Sequence, residues 1–130
     1  MRISELDIKD EHDSISQEST LTEAAKKVLN LKSGVLVILD GETPVGILTD
    51  YHLLLSMSKG LNGAEEKCLN HMDSDILSVT SDSKVKDVML DMHTKKPVAV
   101  VVADEGKLSG YFSPQDYRTA ISSITNNSSL

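Results

Sequence analysis

Gly46-Ile-Leu-Thr-Asp-Tyr-His-Leu-Leu54 and Gly110-Tyr-Phe-Ser-Pro-Gln-Asp-Tyr117 are one passage written twice: a glycine, two apolar residues, a hydroxyl residue, then a polar turn into a new element. The two stand 64 residues apart, and the offset holds outward from them without an insertion. Val37-Ile38 falls on Val101-Val102, Asp40 on Asp104, and Val45-Gly46 on Ser109-Gly110. Further upstream Leu21, Ala24, Ala25 and Val28 fall on Val85, Val88, Met89 and Met92, Ser19 falls on Ser83, and Ser14-Ile15-Ser16 falls on Ser78-Val79-Thr80. Self-similarity sustained at one period is the signature of an internal duplication.

Each copy predicts the order β-α-β-β-α. A short strand comes first, Asp13 to Ser16 or Ile76 to Thr80. An amphipathic helix follows, its apolar residues recurring at i, i+3, i+4 and i+7, and Thr20 with Glu23 makes a capping-box pair at the first one. Gly34 to Leu39 and Pro44 to Leu48 flank Asp40-Gly41-Glu42, while Val98 to Ala103 and Lys107 to Phe112 flank Asp104-Glu105-Gly106. Both are hairpin patterns, the first the stronger because Asp-Gly favours the tight turn. A last helix starts at Thr49 or Ser113. The boundaries are 1–60 for the first repeat, 61–64 for the linker (within Ser58 to Ala64), 65–124 for the second repeat, and 125–130 for a flexible polar tail. One copy cannot cover both faces of its sheet, so the expected fold is mixed α/β (α+β), two β-α-β-β-α repeats packed as one pseudo-twofold module.

Composition narrows the partners. The 130 residues are 39% hydrophobic and 25% charged, ordinary for a globular domain. One Phe, three Tyr and no Trp leave an aliphatic core. A net charge of −7 disfavours nucleic acid and anionic membrane surfaces as partners. The longest apolar runs, Val35 to Leu39 and Pro97 to Ala103, are far too short to span a bilayer. A single cysteine, Cys68, permits no internal disulfide, and the acidic start of the chain is unlike a signal peptide, so the expectation is cytoplasmic. Among His12, His52, His71, His93 and Cys68 only Cys68-x-x-His71 has a ligand-like spacing, and structural zinc needs two such pairs. No nucleophile, P-loop or metalloprotease string is present. Neither a metal site nor catalysis is expected.

With its two Gly-apolar-apolar-Ser/Thr-x-x-Asp-like segments in matched frames, and Leu69-Asn-His-Met72 leading into Ile76-Leu-Ser-Val79, the chain resembles a tandem pair of cystathionine-β-synthase-type (CBS) domains, a Bateman module, over about Ser4 to Ile124. The resemblance implies a regulatory module that is not an enzyme. It implies an adenosine-containing ligand (AMP, ADP, ATP or S-adenosylmethionine) in clefts between the repeats, a homodimer formed through helices, and a separate regulated protein. A ligand-free dimerisation or interaction module is the alternative.

Ser113-Pro114 reads as an N-cap followed by a proline suited to the first helical position, so free N–H groups at that helix start could seat a phosphate. The resemblance assigns phosphate contact to Ser113 and ribose contact to Asp116. The same spacing reads equally as a capping box. In the first copy Thr49 keeps the hydroxyl, but His52 replaces the carboxylate, and an imidazole cannot accept both ribose hydroxyls. His52 is therefore either a phosphate donor or a surface residue. The nearest cations to the phosphate position are Lys95 and Lys96, and Lys32 in the first copy. Should they not reach, ATP loses most and AMP or an uncharged adenosine compound is favoured. Ile76, Leu77, Pro97 and Val98 are the family positions for an adenine slot, or else simple core.

Overall fold

A computed structural model describes the chain except for residues 7–11, 32–34 and 129–130, with the backbone alone for 123–128. The expected starts of the second strand at Gly34 and of the tail's last residues, and Lys32, lie outside the described residues.

The duplication is borne out element by element. In the first repeat β1 (Asp13–Ser16), α1 (Leu21–Val28), β2 (Val35–Asp40), β3 (Thr43–Thr49) and α2 (Asp50–Ser58) follow in order. In the second, β4 (Ile76–Val79), α3 (Val85–Lys95), β5 (Ala99–Asp104), β6 (Lys107–Phe112) and α4 (Pro114–Ser128) repeat it, α4 carrying the backbone through 125–128. Two three-stranded sheets result, ordered β1-β2-β3 and β4-β5-β6. β1 runs parallel to β2, with α1 as the crossover, and β3 returns antiparallel. The repetition extends to irregularities: Ile38 pairs with Gly46 and Val102 with Gly110, and each hairpin carries a bulge just beyond, at Ile38/Leu39 and Val102/Ala103. In the second hairpin Glu105 and Gly106 both have positive φ, 54° and 78°, which is what a two-residue type I′ turn demands.

Local chemistry explains the helix starts. Thr20 Oγ1 accepts from the Glu23 N–H at 3.2 Å and Glu23 Oε1 accepts from the Thr20 N–H at 3.4 Å, the expected capping box closing on α1. The inward face of α1 then buries Leu21, Ala24 and Val28 with Leu36, Ile38 and Leu48. In the second repeat Val85 and Val88 pack with Leu77, Val100, Val102 and Phe112.

The compact units do not follow chain order: one comprises Met1–Asp10 with Leu77–Leu130, the other Glu11–Ile76. Each repeat's lead-in completes the other repeat's core. Ile3, in a 3-10 turn over Ile3–Glu5, is 1% exposed within the second repeat's cluster. Its N–H donates to the Ser83 carbonyl, and that of Ser4 to Ser81. Cys68, in the matching turn Cys68–Asn70, is fully buried in the first repeat's cluster. Its N–H donates to Ser19 and that of Leu69 to Gln17. Ser19 and Gln17 are the 64-residue equivalents of Ser83 and Ser81, but Cys68 and Ile3 stand 65 apart, so the constant offset slips by one in the lead-ins. The lead-in also accounts for Gly46. Asp73 and Ile47 exchange backbone hydrogen bonds of 2.9 Å in both directions. A Cβ on Gly46 would lie 2.8 Å from the Asp73 carbonyl oxygen and 2.8 Å from Met72 Sδ. Only glycine admits that crossing.

Candidate nucleotide site at the helix starts

At the start of α4 the Ser113-Pro114-Gln115-Asp116 segment is wired to itself. Ser113 and Asp116 are 4% and 7% exposed. Asp116 Oδ2 accepts from the Ser113 N–H at 3.0 Å and from its hydroxyl at 3.1 Å, and the Asp116 N–H donates to Ser113 Oγ at 3.1 Å. The Tyr117 N–H donates to the Ser113 carbonyl at 3.0 Å. Pro114 has no N–H, so of the first turn's amides only that of Gln115 is left for an outside acceptor among the hydrogen bonds of the described residues. The phosphate seat read from the sequence shrinks to one amide plus whatever the Ser113 hydroxyl can release.

Beside this start lies a groove of about 230 Å³ lined by Met92, Pro97, Val98, Tyr111, Ser113 and Tyr117, among others. The structure thus brings three of the sequence-derived residues, Pro97, Val98 and Ser113, to one surface. Val98 is half exposed, as a slot wall would be and a core residue would not. The others fall elsewhere. Leu77 is in the core cluster and Ile76 is half-buried, and neither lines the groove. Asp116 is buried beside Ser113 and does not line it. Lys95 ends α3 and Lys96 caps it in the left-handed region (φ 48°), both exposed and neither on the groove wall. Met92, Tyr111 and Tyr117 are groove residues the sequence reading did not single out. Their apolar spacing within α3, β6 and α4 reads as core, and the same face serves both.

The first repeat keeps the wiring and changes the chemistry. The Thr49 N–H donates to His52 Nδ1 at 3.0 Å, and Thr49 Oγ1 lies 2.9 Å from the same nitrogen. His52 is half-buried and acts as the third helical residue's acceptor, the part Asp116 plays in α4. Accepting through Nδ1 requires its lone pair and leaves the ring proton on Nε2. One residue passed over in the sequence reading is Asp50, at the position of Pro114. Its Oδ1 accepts from the Tyr51 N–H at 2.8 Å. A carboxylate there spends an amide and sets negative charge where a phosphate would approach, a signal readable directly from an acid at a first helical position.

Cys68 and His71 do not face a common point. The Cys68 thiol donates to the Thr20 carbonyl at 3.7 Å, while His71 Nε2 lies 3.4 Å from Glu66 Oε1 and its Nδ1 3.4 Å from Ser56 Oγ. Burial, with the Glu23 charge adding, pushes the Cys68 thiol up to about 11, so it sits as a small protonated core group. No helix among the described residues is long and apolar enough to cross a membrane.

No curated protein sequence matches the chain. Solved structures do. A CBS domain protein from Pyrobaculum aerophilum, solved with AMP, is 21% identical over 97% of this chain and 99% of that one, with a TM-score of 0.76. The CBS domain pair of another protein, solved with 5′-methylthioadenosine and S-adenosyl-L-methionine, is 17% identical over 95% and 98%, TM-score 0.71. OpuCA from Staphylococcus aureus is 18% identical over 90% and 96%, TM-score 0.69. Identities this low speak to fold. The family follows from the sequence itself, since the CBS domain model matches residues 3–59 and again 67–123. The two β-α-β-β-α units with their paired helix starts are CBS domains, and this chain belongs to the CBS domain family.

Proposed function

We propose that this CBS pair is a regulatory sensor of an adenosyl ligand, and that the second repeat carries the competent site. The observation that carries the reading is the convergence of Ser113, at the start of α4, with the apolar walls Pro97 and Val98 on one groove. Adenine lies against Pro97, Val98 and Tyr117. Ser113 and the Gln115 amide meet the first phosphate or its replacement. Asp116 stands behind Ser113 and off the groove wall, so the reading requires its Oδ1 to turn toward the ligand and accept a ribose hydroxyl, Oδ2 already taking both Ser113 donors. The relatives solved with AMP and with S-adenosyl-L-methionine support this ligand class. With one spare amide, no lysine on the groove wall and a chain charge of −7, a monophosphate or an uncharged or cationic adenosyl compound binds better than ATP. The module performs no catalysis, resides in the cytoplasm, and passes occupancy to a separate protein.

Calorimetry with AMP, ADP, ATP and S-adenosylmethionine tests it. At least one, with ATP not the tightest, binds below about 1 mM, and Asp116→Ala weakens it roughly tenfold or more. Asp116→Asn keeps an acceptor for the Ser113 N–H and separates lost capping from lost ligand contact. Absence of binding by wild type in that range, or equal binding by Asp116→Ala, overturns the reading. It would favour the alternative, a ligand-free interaction module, which the mutual satisfaction of Ser113 and Asp116 supports.

A further inference from the structure

Residues 61–66 run from the end of α2 back across the start of α1 and supply its first turn with acceptors. The Thr22 N–H donates to the Gly63 carbonyl at 3.1 Å, and the Leu21 N–H to the Glu66 carbonyl at 2.9 Å. The first amides of a helix have no partner inside it, so the linker completes the capping that Thr20 begins. The fit is close. A Cβ on Gly63 would lie 3.1 Å from Thr22 Oγ1 and 3.8 Å from Leu21 Cβ, so a larger residue crowds α1. The residue before this glycine is Asn62, exposed to solvent. Packing that calls for glycine at 63 therefore leaves an Asn-Gly pair on the surface, the one such pair in the sequence.

An asparagine amide is open to attack by the main-chain nitrogen that follows it, a reaction made fast by proximity. Glycine hinders that nitrogen least and gives the backbone the most freedom to reach. Asn62 Oδ1 accepts from the Ala64 N–H at 3.1 Å, which bends the side chain over the Gly63 peptide. The same N–H stands where negative charge develops on that oxygen during attack. Among the hydrogen bonds of the described residues the Gly63 N–H has no acceptor. We infer that Asn62 is a site of spontaneous deamidation that remodels the linker. The Gly63 nitrogen bonds to Asn62 Cγ, its proton passes through solvent to the departing amide, ammonia leaves, and a succinimide ring closes. Water then opens the ring at either carbonyl. Opening at the side-chain carbonyl gives aspartate and leaves the chain length unchanged. Opening at the main-chain carbonyl gives isoaspartate, whose main chain runs through Cγ and is one carbon longer. The former Asn62 carbonyl, which accepts from the Glu65 and Glu66 N–H groups at 3.0 and 3.1 Å, then becomes a free carboxylate. Isoaspartate therefore shifts 63–66 out of register with the first turn of α1, and Thr22 and Leu21 lose their acceptors. Aspartate keeps both. The inference is independent of the ligand reading.

Incubation of the full chain at mildly alkaline pH, followed by tryptic mass mapping, tests it. Asn62 lies on a different tryptic peptide from Asn30, which precedes Leu31, and from Asn70, which precedes His71. The Asn62 peptide turns from amide to acid several-fold faster than the other two, and electron-transfer fragmentation finds both isomers in it. Asn62→Gln removes the conversion. Hydrogen exchange on the acidic fraction from anion exchange reads the structural consequence. The Leu21 and Thr22 amides exchange several-fold faster in the isoaspartate chains than in wild type, and Asn62→Asp, which carries the charge without the longer chain, exchanges as wild type does. Three results overturn the inference: Asn62 staying intact in the folded chain while it converts in the urea-unfolded one, conversion no faster than at Asn30 or Asn70, or α1 amides as protected in the isoaspartate chains as in Asn62→Asp.

Discussion

The starts of α2 and α4 occupy the same place in the same frame, and their hydrogen bonds are nearly superimposable in pattern. In each, a hydroxyl residue at the N-cap donates its backbone N–H to the side chain three residues on. In one that side chain is an imidazole, in the other a carboxylate. Capping needs only an acceptor at the right distance, so His52 and Asp116 are interchangeable for the helix. Ribose recognition needs an acceptor left over after capping, and a carboxylate keeps one oxygen where an imidazole capping through Nδ1 keeps none, so for a ligand they are not. A duplicated scaffold thus stays symmetric wherever the requirement is geometric and diverges wherever it is chemical. Asp50 against Pro114 follows the same rule.

The strongest way to break the comparison is through the lead-ins, where the two repeats ought to be equivalent in role. Ile3 and Cys68 fill corresponding core positions in opposite repeats, both essentially inaccessible. Ile3→Ala deletes three carbons from a packed core and costs about 3 kcal/mol, whereas Cys68→Ala removes only a sulfur and costs about 1 kcal/mol. Urea unfolding monitored by circular dichroism reads both. A small loss for Ile3→Ala would show that the first lead-in is not the structural counterpart of the second. The exchange also means that a cut at 61–64 separates each repeat from the segment that completes it, so fragments 1–60 and 65–130 should each fold poorly alone.

Next in size is the ligand asymmetry itself. Asp116→His, which copies the first repeat into the second, retains a capping acceptor and loses adenosyl binding by roughly tenfold, near 1.4 kcal/mol. The reverse change His52→Asp leaves stoichiometry at one, because Asp50 still repels a phosphate. The double change Asp50→Pro with His52→Asp moves it toward two. Calorimetric stoichiometry distinguishes these outcomes. A second site arising from His52→Asp alone would show that Asp50 has no part in the difference.

How much of this the sequence disclosed depends on how local each feature is. The hairpins, the Thr20–Glu23 box and the capping alternative at Ser113 depend on residues within a few positions of each other, and the pattern carries them. The family match to residues 3–59 and 67–123 bears out the reading of two CBS repeats. The crossing of lead-ins does not show, because a three-residue 3-10 turn has no periodicity and Ile3 differs from any other N-terminal isoleucine only in what it meets in space. Gly46 appears in the sequence only as a motif letter, and its reason, the carbonyl of Asp73 far along the chain, is equally tertiary. The candidate site was half legible. Pro97, Val98 and Ser113 meet, while Leu77 is drawn into the core and Lys95 and Lys96 stay in solvent, because side-chain direction at an element's end is set by packing.

The smallest contrast lies at the hairpin aspartates. Asp104 Oδ1 accepts from the Ser81 N–H at 2.9 Å, and Oδ2 accepts from the Ser81 hydroxyl at 2.6 Å and the Ser109 hydroxyl at 2.7 Å. These bonds, led by the Ser81 hydroxyl and then that of Ser109, hold its carboxyl below the ordinary value of 3.8. At the equivalent positions around Asp40 stand Gln17 and Val45, so the first hairpin lacks both hydroxyls. A carboxyl depressed in the folded state binds its proton less readily there than in the unfolded chain. Its contribution to stability is full above the unfolded value and is lost as pH falls through the folded one. Asp104→Asn should therefore lower the melting temperature at pH 6, and the gap to wild type should narrow steadily toward pH 3. Asp40→Asn should open a smaller gap at pH 6. If the Asp104→Asn gap stays constant across that range, the serine hydroxyls are not favouring the ionised form, and the two hairpins are more alike than their sequences suggest.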